Sequence, residues 1–243
     1  MDNAAFIVLS RQKTLFTAME NIANNVANTN TPGFKSDNML FQEFLMENIV
    51  SQEELAFAHD VSNYKDLSQS SLTSTKRQLD VSLQGEGYFI LESPLGTRYT
   101  RAGNFVRDAE GFVTSKEGYY VLGNAGERIV LQPEDTIIEI DSDGFVEASG
   151  AIVGQIGIVT FPNQNELEKL GGSMFTYDEE NGAPFIPENT AIVQGFLEES
   201  NVNSITEITR MIDNSRKVGT TAGFINDINE LQRRAFNSIT EIK

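Results

Sequence analysis

Apolar residues recur at helical spacing at both ends of the chain and at strand spacing between them. Near the N-terminus Ala5, Val8, Leu15, Met19, Ile22 and Val26 follow one another at steps of 3, 4 and 7, with Gln12 the only break in the series. Such spacing places the side chains on one face of an α-helix, and Phe6, Leu9, Phe16 and Ala23 widen that stripe. The helix is expected to stop soon afterwards. Asn28, Thr29, Asn30 and Thr31 are poor helix formers, and Pro32-Gly33 cannot continue the hydrogen-bond ladder. Residues 36–76 that follow are mostly polar and short of both Gly and β-branched runs, which reads as an extended linker.

A second helix is expected at the C-terminus. Val202, Ile205, Ile208 and Ile212 supply an apolar face, and Ser204 with Glu207 forms a capping-box pattern, Ser200 being the other candidate cap. Gly219-Thr-Thr-Ala-Gly223 is expected to break or kink this helix, after which Phe224, Ile228, Leu231, Ala235 and Ile242 resume a heptad-like series.

Between the helices lie short runs rich in Val, Ile, Phe, Tyr and Thr, at 81–91, 98–107, 111–122, 129–131, 137–140, 144–147, 151–161 and 191–197, each bounded by turn residues. The segments DAEGFV (108–113) and DSDGFV (141–146) resemble each other and read as one kind of hairpin used twice. Residues 162–187 show no sustained period and read as a long loop or weak edge. The predicted fold class is therefore α+β: amphipathic N- and C-terminal helices packing together, with a central β-rich domain. Its expected divisions are 1–33, 34–78, 79–199 and 200–243.

Composition narrows the function. The chain has 243 residues, enough to bury a core without metals or disulfides, and no apolar run approaches the twenty residues a membrane span needs. It reads as a soluble protein. The 18 Lys and Arg against 35 Asp and Glu give a net charge of −17, which disfavours binding to nucleic acid or to an anionic bilayer. That charge is unevenly spread: −3 over 1–79, −15 over 80–199 and +1 over 200–243. The helical ends are nearly neutral, so copies packed through them need not repel one another, and the acidic centre is expected to face outward, where salt screens it.

Candidate chemistry is sparse. There is no Cys and one His, His59, which removes most zinc sites, thiol nucleophiles and imidazole catalysis. Asp141-Ser-Asp143-Gly144 has neither the sixth-position Gly nor the twelfth-position Glu of a calcium loop. Gly85-Glu-Gly87 lacks the third glycine of a nucleotide fingerprint. Neither a cofactor nor a metal is called for. A two-carboxylate glycosidase is the enzyme reading that composition leaves open, since 35 acids always offer pairs. The first residues, MDNAAFIVLSRQK, lack a basic leader and a sustained apolar stretch, so a cleaved secretory signal is not expected.

Four blocks carry a specific resemblance. ANNVANTNTPGFK (23–35), LDVSLQGEGYFIL (79–91), YTRAGNFVRDAEGFV (99–113) and VQGFLEESNVNSITEITRMI (193–212) closely resemble, in order and spacing, the signature blocks of bacterial flagellar rod and hook proteins. The length is most similar to that of the proximal-rod members, with the distal-rod members the close alternative. The resemblance implies a non-enzymatic structural subunit of the basal-body rod, the shaft that crosses the periplasm and transmits torque to the hook. It implies export by the flagellar type III apparatus and partnership with other rod proteins and further copies of itself, without nucleic acid or membrane insertion. It also implies terminal helices packed as the inner layer of a helical tube. The residues expected to carry assembly are Phe6, Leu15, Met19, Ile22, Asn25, Val26, Asn28, Ile205, Ile208 and Ile212, with Pro32 and Gly33 forming the turn out of the helical layer. In the family the C-terminal helix runs unbroken past this point, often with an aromatic residue after an Arg; here Lys217 and Val218 follow Arg216. A cell-wall-active or glycan-binding protein using central carboxylates is the alternative.

Overall fold

The computed structural model describes residues 2–47, 54–178, 180 and 182–240. They form two compact units. The first comprises Met1–Ala27, Asp37–Lys65 and Asn203–Lys243, the second Asn28–Ser36 and Asp66–Val202.

The first unit holds helix α1 (Asp2–Ala27), strands β1 (Asp37–Glu47) and β2 (Glu54–Lys65), and a helix of 37 residues at Ser204–Thr240 that is numbered α2. Strands β1 and β2 pair antiparallel, with a register shift between Leu40 and Phe41, so part of the stretch expected to be an extended linker is a long hairpin. The helices run antiparallel. Val8 shares a groove with Thr220 and Phe224, the Leu15 carbonyl accepts from Asn214 Nδ2 at 2.8 Å, and Ile22 shares a cavity with Glu207.

Two expectations about α2 are corrected. Its N-cap is Asn203, whose Oδ1 accepts from Thr206 N at 3.1 Å, because Ser204 is already the first helical residue. Gly219 and Gly223 do not interrupt it. Each glycine costs a helix only about 1 kcal/mol, which packing along α1 outweighs. The face of α2 turned inward is Ser204, Glu207, Met211, Asn214, Val218, Thr221, Ile225 and Ile228, at alternating steps of three and four, while Ile205, Ile208 and Ile212, expected to carry assembly, are 77%, 48% and 49% exposed.

The second unit is antiparallel β-structure. In chain order its strands are β3 (Leu72–Ser74), β4 (Val81–Gln84), β5 (Tyr88–Ser93), β6 (Gly96–Thr100), β7 (Val106–Arg107), β8 (Val113–Thr114), β9 (Tyr120–Val121), β10 (Ile138–Ile140), β11 (Phe145–Ala148), β12 (Ala151–Gln155), β13 (Ile158–Val159), β14 (Glu168–Gly171), β15 (Met174–Thr176), β16 (Ala191–Gln194) and β17 (Phe196–Glu198). The largest sheet runs β14-β15-β6-β5-β9-β8-β7, with β13 also on β5; β10-β11-β12, β16-β4 and β17-β3 form smaller sheets. Strand β5 separates two cores because successive side chains point to opposite faces. Phe89 and Leu91 enter an aliphatic cluster with Val113, Val121, Ile129 and Leu131; Tyr88 enters an aromatic one with Tyr99, Phe161, Phe175 and Tyr177. Residues 162–187 supply the edge hairpin β14–β15, whose Phe175 is fully buried.

The two similar segments do form the same hairpin. Asp108 Oδ1 accepts from the amides of Glu110 and Phe112, and Asp141 Oδ1 from those of Asp143 and Phe145. The glycine carbonyls of both turns then accept from the next strand, Gly111 from Leu131 and Gly144 from Ile156. Each leading aspartate is thereby committed to its own turn.

Candidate functional site

Two features of the structure bear on function: how the segment after α1 is held in the second unit, and which residues the helical unit leaves exposed.

The chain from Asn28 to Ser36 is a tight, largely buried loop. Thr31 N donates to Asn28 O at 3.1 Å, Thr31 Oγ1 to Asn28 Oδ1 at 3.1 Å, and Phe34 N to Thr31 O at 3.2 Å, which turns the backbone back at Pro32. Gly33 has φ of +66°, and a Cβ there would stand 2.4 Å from Arg101 C and Ala102 N, so the position requires glycine twice over, for conformation and for space. Its amide donates to Glu198 O at 2.8 Å. Phe34 is fully buried, with Lys169 Nζ 3.6 Å from its ring centroid.

Behind this turn lies a buried charge cluster. Lys35, Arg101 and Glu198 are 1%, 4% and 1% exposed. Lys35 Nζ donates to Glu198 Oε1 and to Ser68 O, both at 2.6 Å, while Arg101 Nη1 stands 3.5 Å from Glu198 Oε2. Ser70 N also donates to Glu198 Oε1. One carboxylate thus serves two cations. Burial pushes the Lys35 ammonium below its usual range despite the opposing pull of Glu198. Arg101 also lies 5.3 Å from the Tyr88 ring centroid, and burial pushes the Tyr88 hydroxyl up to about 12.

Asn201 completes the fastening. Its amide donates to Phe34 O, its Oδ1 accepts from Ser36 N at 2.7 Å, and its Nδ2 donates to Asp66 O at 2.7 Å. The segment following α1 and the segment preceding α2 are therefore bound side by side. The arrangement is mechanical: it fixes chain paths and offers no open nucleophile, acid or base.

The residues expected to carry assembly divide into three groups. Leu15, Met19, Ile22 and Val26 are half-buried on α1, and Asn25 is buried, donating to Asp37 O and accepting from Asp37 N. Asn28, Pro32 and Gly33 belong to the turn. Ile205, Ile208 and Ile212 are exposed, as are Leu9 and Phe16 of α1, at 57% and 50%. The side chains of Phe6 and His59 lie outside the described residues. Sequence reasoning missed Lys35, Arg101, Glu198 and Asn201. The available signal was that each falls inside a resembling block; the local pattern itself marks none of them.

Among the described residues no three His, Cys, Asp or Glu side chains are grouped to hold a metal, and no helix is long and apolar enough to cross a membrane. Two buried acids of the second unit are committed to structure: Glu198 to the cluster, Asp135 to Gln132 N and Ser149 Oγ.

Comparison with known proteins matches residues 8–35 to a family described as flagella basal body rod protein, residues 82–148 to the flagellar hook protein FlgE/F/G D1 domain, and residues 193–238 to the flagellar basal body rod FlgEFG protein C-terminal. The flagellar basal-body rod protein FlgF of Caulobacter vibrioides is 31% identical over 245 residues, covering all of both chains. FlgG of Bacillus subtilis is 32% identical over 253 residues, with 94% of this chain and 96% of that one covered. FlgF of Mesorhizobium japonicum is 32% identical over 225 residues, with 93% and 92% covered.

Proposed function

The chain belongs to the FlgF and FlgG family of flagellar basal-body rod proteins, structural subunits and not enzymes, and on that premise we propose that it is built into the rod through its helical unit. The observation that carries this reading is the exposure of Ile205, Ile208 and Ile212 on α2, beside Leu9 and Phe16 on α1. Apolar side chains exposed on both helices give each copy surfaces with which to meet others. They favour head-to-tail contacts, which repeat into an open helical array. Leu15, Met19, Ile22 and Val26, with Phe6 and Asn25, support the α1 side of that layer. Asn28, Pro32 and Gly33 are the turn at which the chain leaves it.

The end-to-end alignment with Caulobacter FlgF favours a place in the proximal rod. Delivery through the flagellar export apparatus and contact with neighbouring rod proteins follow from the same membership. The Lys35–Glu198–Arg101 cluster supports a subunit that transmits torque, since it fastens the two chain segments that continue into α1 and α2.

The test is a full-length chain carrying Ile205→Gln, Ile208→Gln and Ile212→Gln. These side chains make little of the monomer's core, so its far-UV circular dichroism is expected to match wild type while incorporation into isolated basal bodies is lost. Incorporation at the wild-type level overturns the proposal.

A further inference from the structure

We infer that residues 33–36 and 191–202 are two straps that close the second unit jointly, so that neither opens unless the whole unit unfolds. Joint closure is a property of the single chain and goes beyond the assembly reading above. It reverses the usual order, in which the segments where a chain enters and leaves a folded unit fray first because few contacts hold them.

Each strap is held by parts of the unit far away in sequence. In the first, Gly33 N donates to Glu198 O and Ser36 N to Asn201 Oδ1, while Lys169 Nζ of β14 donates to Lys35 O at 2.8 Å. Phe34 and Lys35 are buried between these bonds. The second strap supplies two strands. Strand β16 pairs with β4 from Ala191 opposite Gln84 to Gln194 opposite Val81, and β17 pairs with β3. Ile192 stands opposite Leu83 and belongs to the aliphatic core, its amide donating to Ser142 O at 2.9 Å, and Gly195 N donates to Asp80 O at 2.7 Å. Gln194 holds the edge of β10, its Nε2 donating to Ile138 O and its Oε1 accepting from Ile140 N.

Partial opening therefore harms what stays behind. Lifting the first strap takes Lys35 from the Glu198 carboxylate and leaves Glu198 O and Asn201 Oδ1 without their donors. Lifting the second takes Glu198 away from Lys35 and Arg101, two buried cations, and strips Ile192 from Leu83. A buried polar network of this kind holds or fails together. Since α1 ends at Ala27 and α2 begins at Ser204, a pull on either helix then meets the whole β-core and not a loose end.

Native-state hydrogen exchange of the purified full-length chain tests this. The hydrogen-bonded amides of Gly33, Gly195 and Asn201 are expected to open as rarely as those of Val113, Leu122 and Leu131 in the core, within about tenfold. Strap amides that open more than about tenfold more often are fraying locally, and overturn the inference. Asn201→Ala removes the side-chain bonds to Ser36 N and Asp66 O and gives a second reading. It should quicken exchange at Gly33 and at Leu131 by the same factor; quickening at Gly33 with Leu131 at its wild-type rate overturns the inference too. Should that variant fail to fold, the wild-type comparison decides. None of these rates depends on incorporation into basal bodies, so failure here leaves the rod reading standing.

Discussion

Replacing Glu198 with Gln is the sharpest test of how the loop after α1 is held. Glu198 is the anion that pairs with both buried cations, 2.6 Å from Lys35 Nζ and 3.5 Å from Arg101 Nη1. Gln keeps the shape and an acceptor for Ser70 N, but leaves two positive charges facing each other with no counter-charge. Breaking a buried pair in this way costs about 3–5 kcal/mol. Replacing Lys35 with Met is the informative contrast. It leaves Glu198 balanced by Arg101, and its main loss is the hydrogen bond to Ser68 O, about 1–3 kcal/mol for a carbonyl left unpaired. The order of the two variants follows from counting charges, and a general loss of packing would not produce it.

Near-UV circular dichroism reads the right unit, because Tyr88, Tyr99 and Tyr177 sit together in its aromatic core. In thermal unfolding Glu198→Gln is expected to lower the midpoint by about 6–20 °C, and Lys35→Met by clearly less. Since the charges are out of contact with solvent, the difference should persist between about 0.05 and 0.5 M salt, unlike that of a surface pair. A Glu198→Gln midpoint within about 2 °C of wild type, or a Lys35→Met variant at least as unstable, refutes the charge argument.

Three further outcomes are expected. Gly33→Ala forces a side chain into the left-handed region and against the backbone of Arg101 and Ala102, and should cost about 3 kcal/mol or more by chemical denaturation. Gly219→Ala and Gly223→Ala meet nothing within 4 Å, so each should stabilise the helical unit by about 0.5–1 kcal/mol, seen as a higher melting temperature of the far-UV signal. Above pH 10 the unfolded chain loses the Tyr88 proton while the folded one keeps it to about 12; stability should therefore fall as pH rises through that window, by about 3 kcal/mol at its end, and Tyr88→Phe should remove the fall.

What the sequence made legible and what it concealed differ by the range of the interaction. The paired hairpins at Asp108 and Asp141 could be read because each turn is closed by bonds between its own aspartate and the residues just after it. The α2 packing face could not. Its spacing shows Ile205, Ile208 and Ile212 as an apolar face but does not show that the residues meeting α1 include Glu207, Asn214 and Thr221, 5%, 7% and 7% exposed. A polar seam of that kind is stabilised by its partner, as Asn214 is by the Leu15 carbonyl, and one helix's own periodicity cannot show this. The charge cluster is the extreme case, for Lys35 meets Glu198 across 163 residues, and neither position is unusual until the other is beside it. Folding one chain alone would favour apolar residues on the inner seam, where burial contributes about 25 cal/mol per Å². Here the seam mixes Met211, Val218, Ile225 and Ile228 with Glu207, Asn214 and Thr221, while Ile205, Ile208 and Ile212 lie outside it, apolar surface left unused until another molecule covers it, as a polymerising subunit requires.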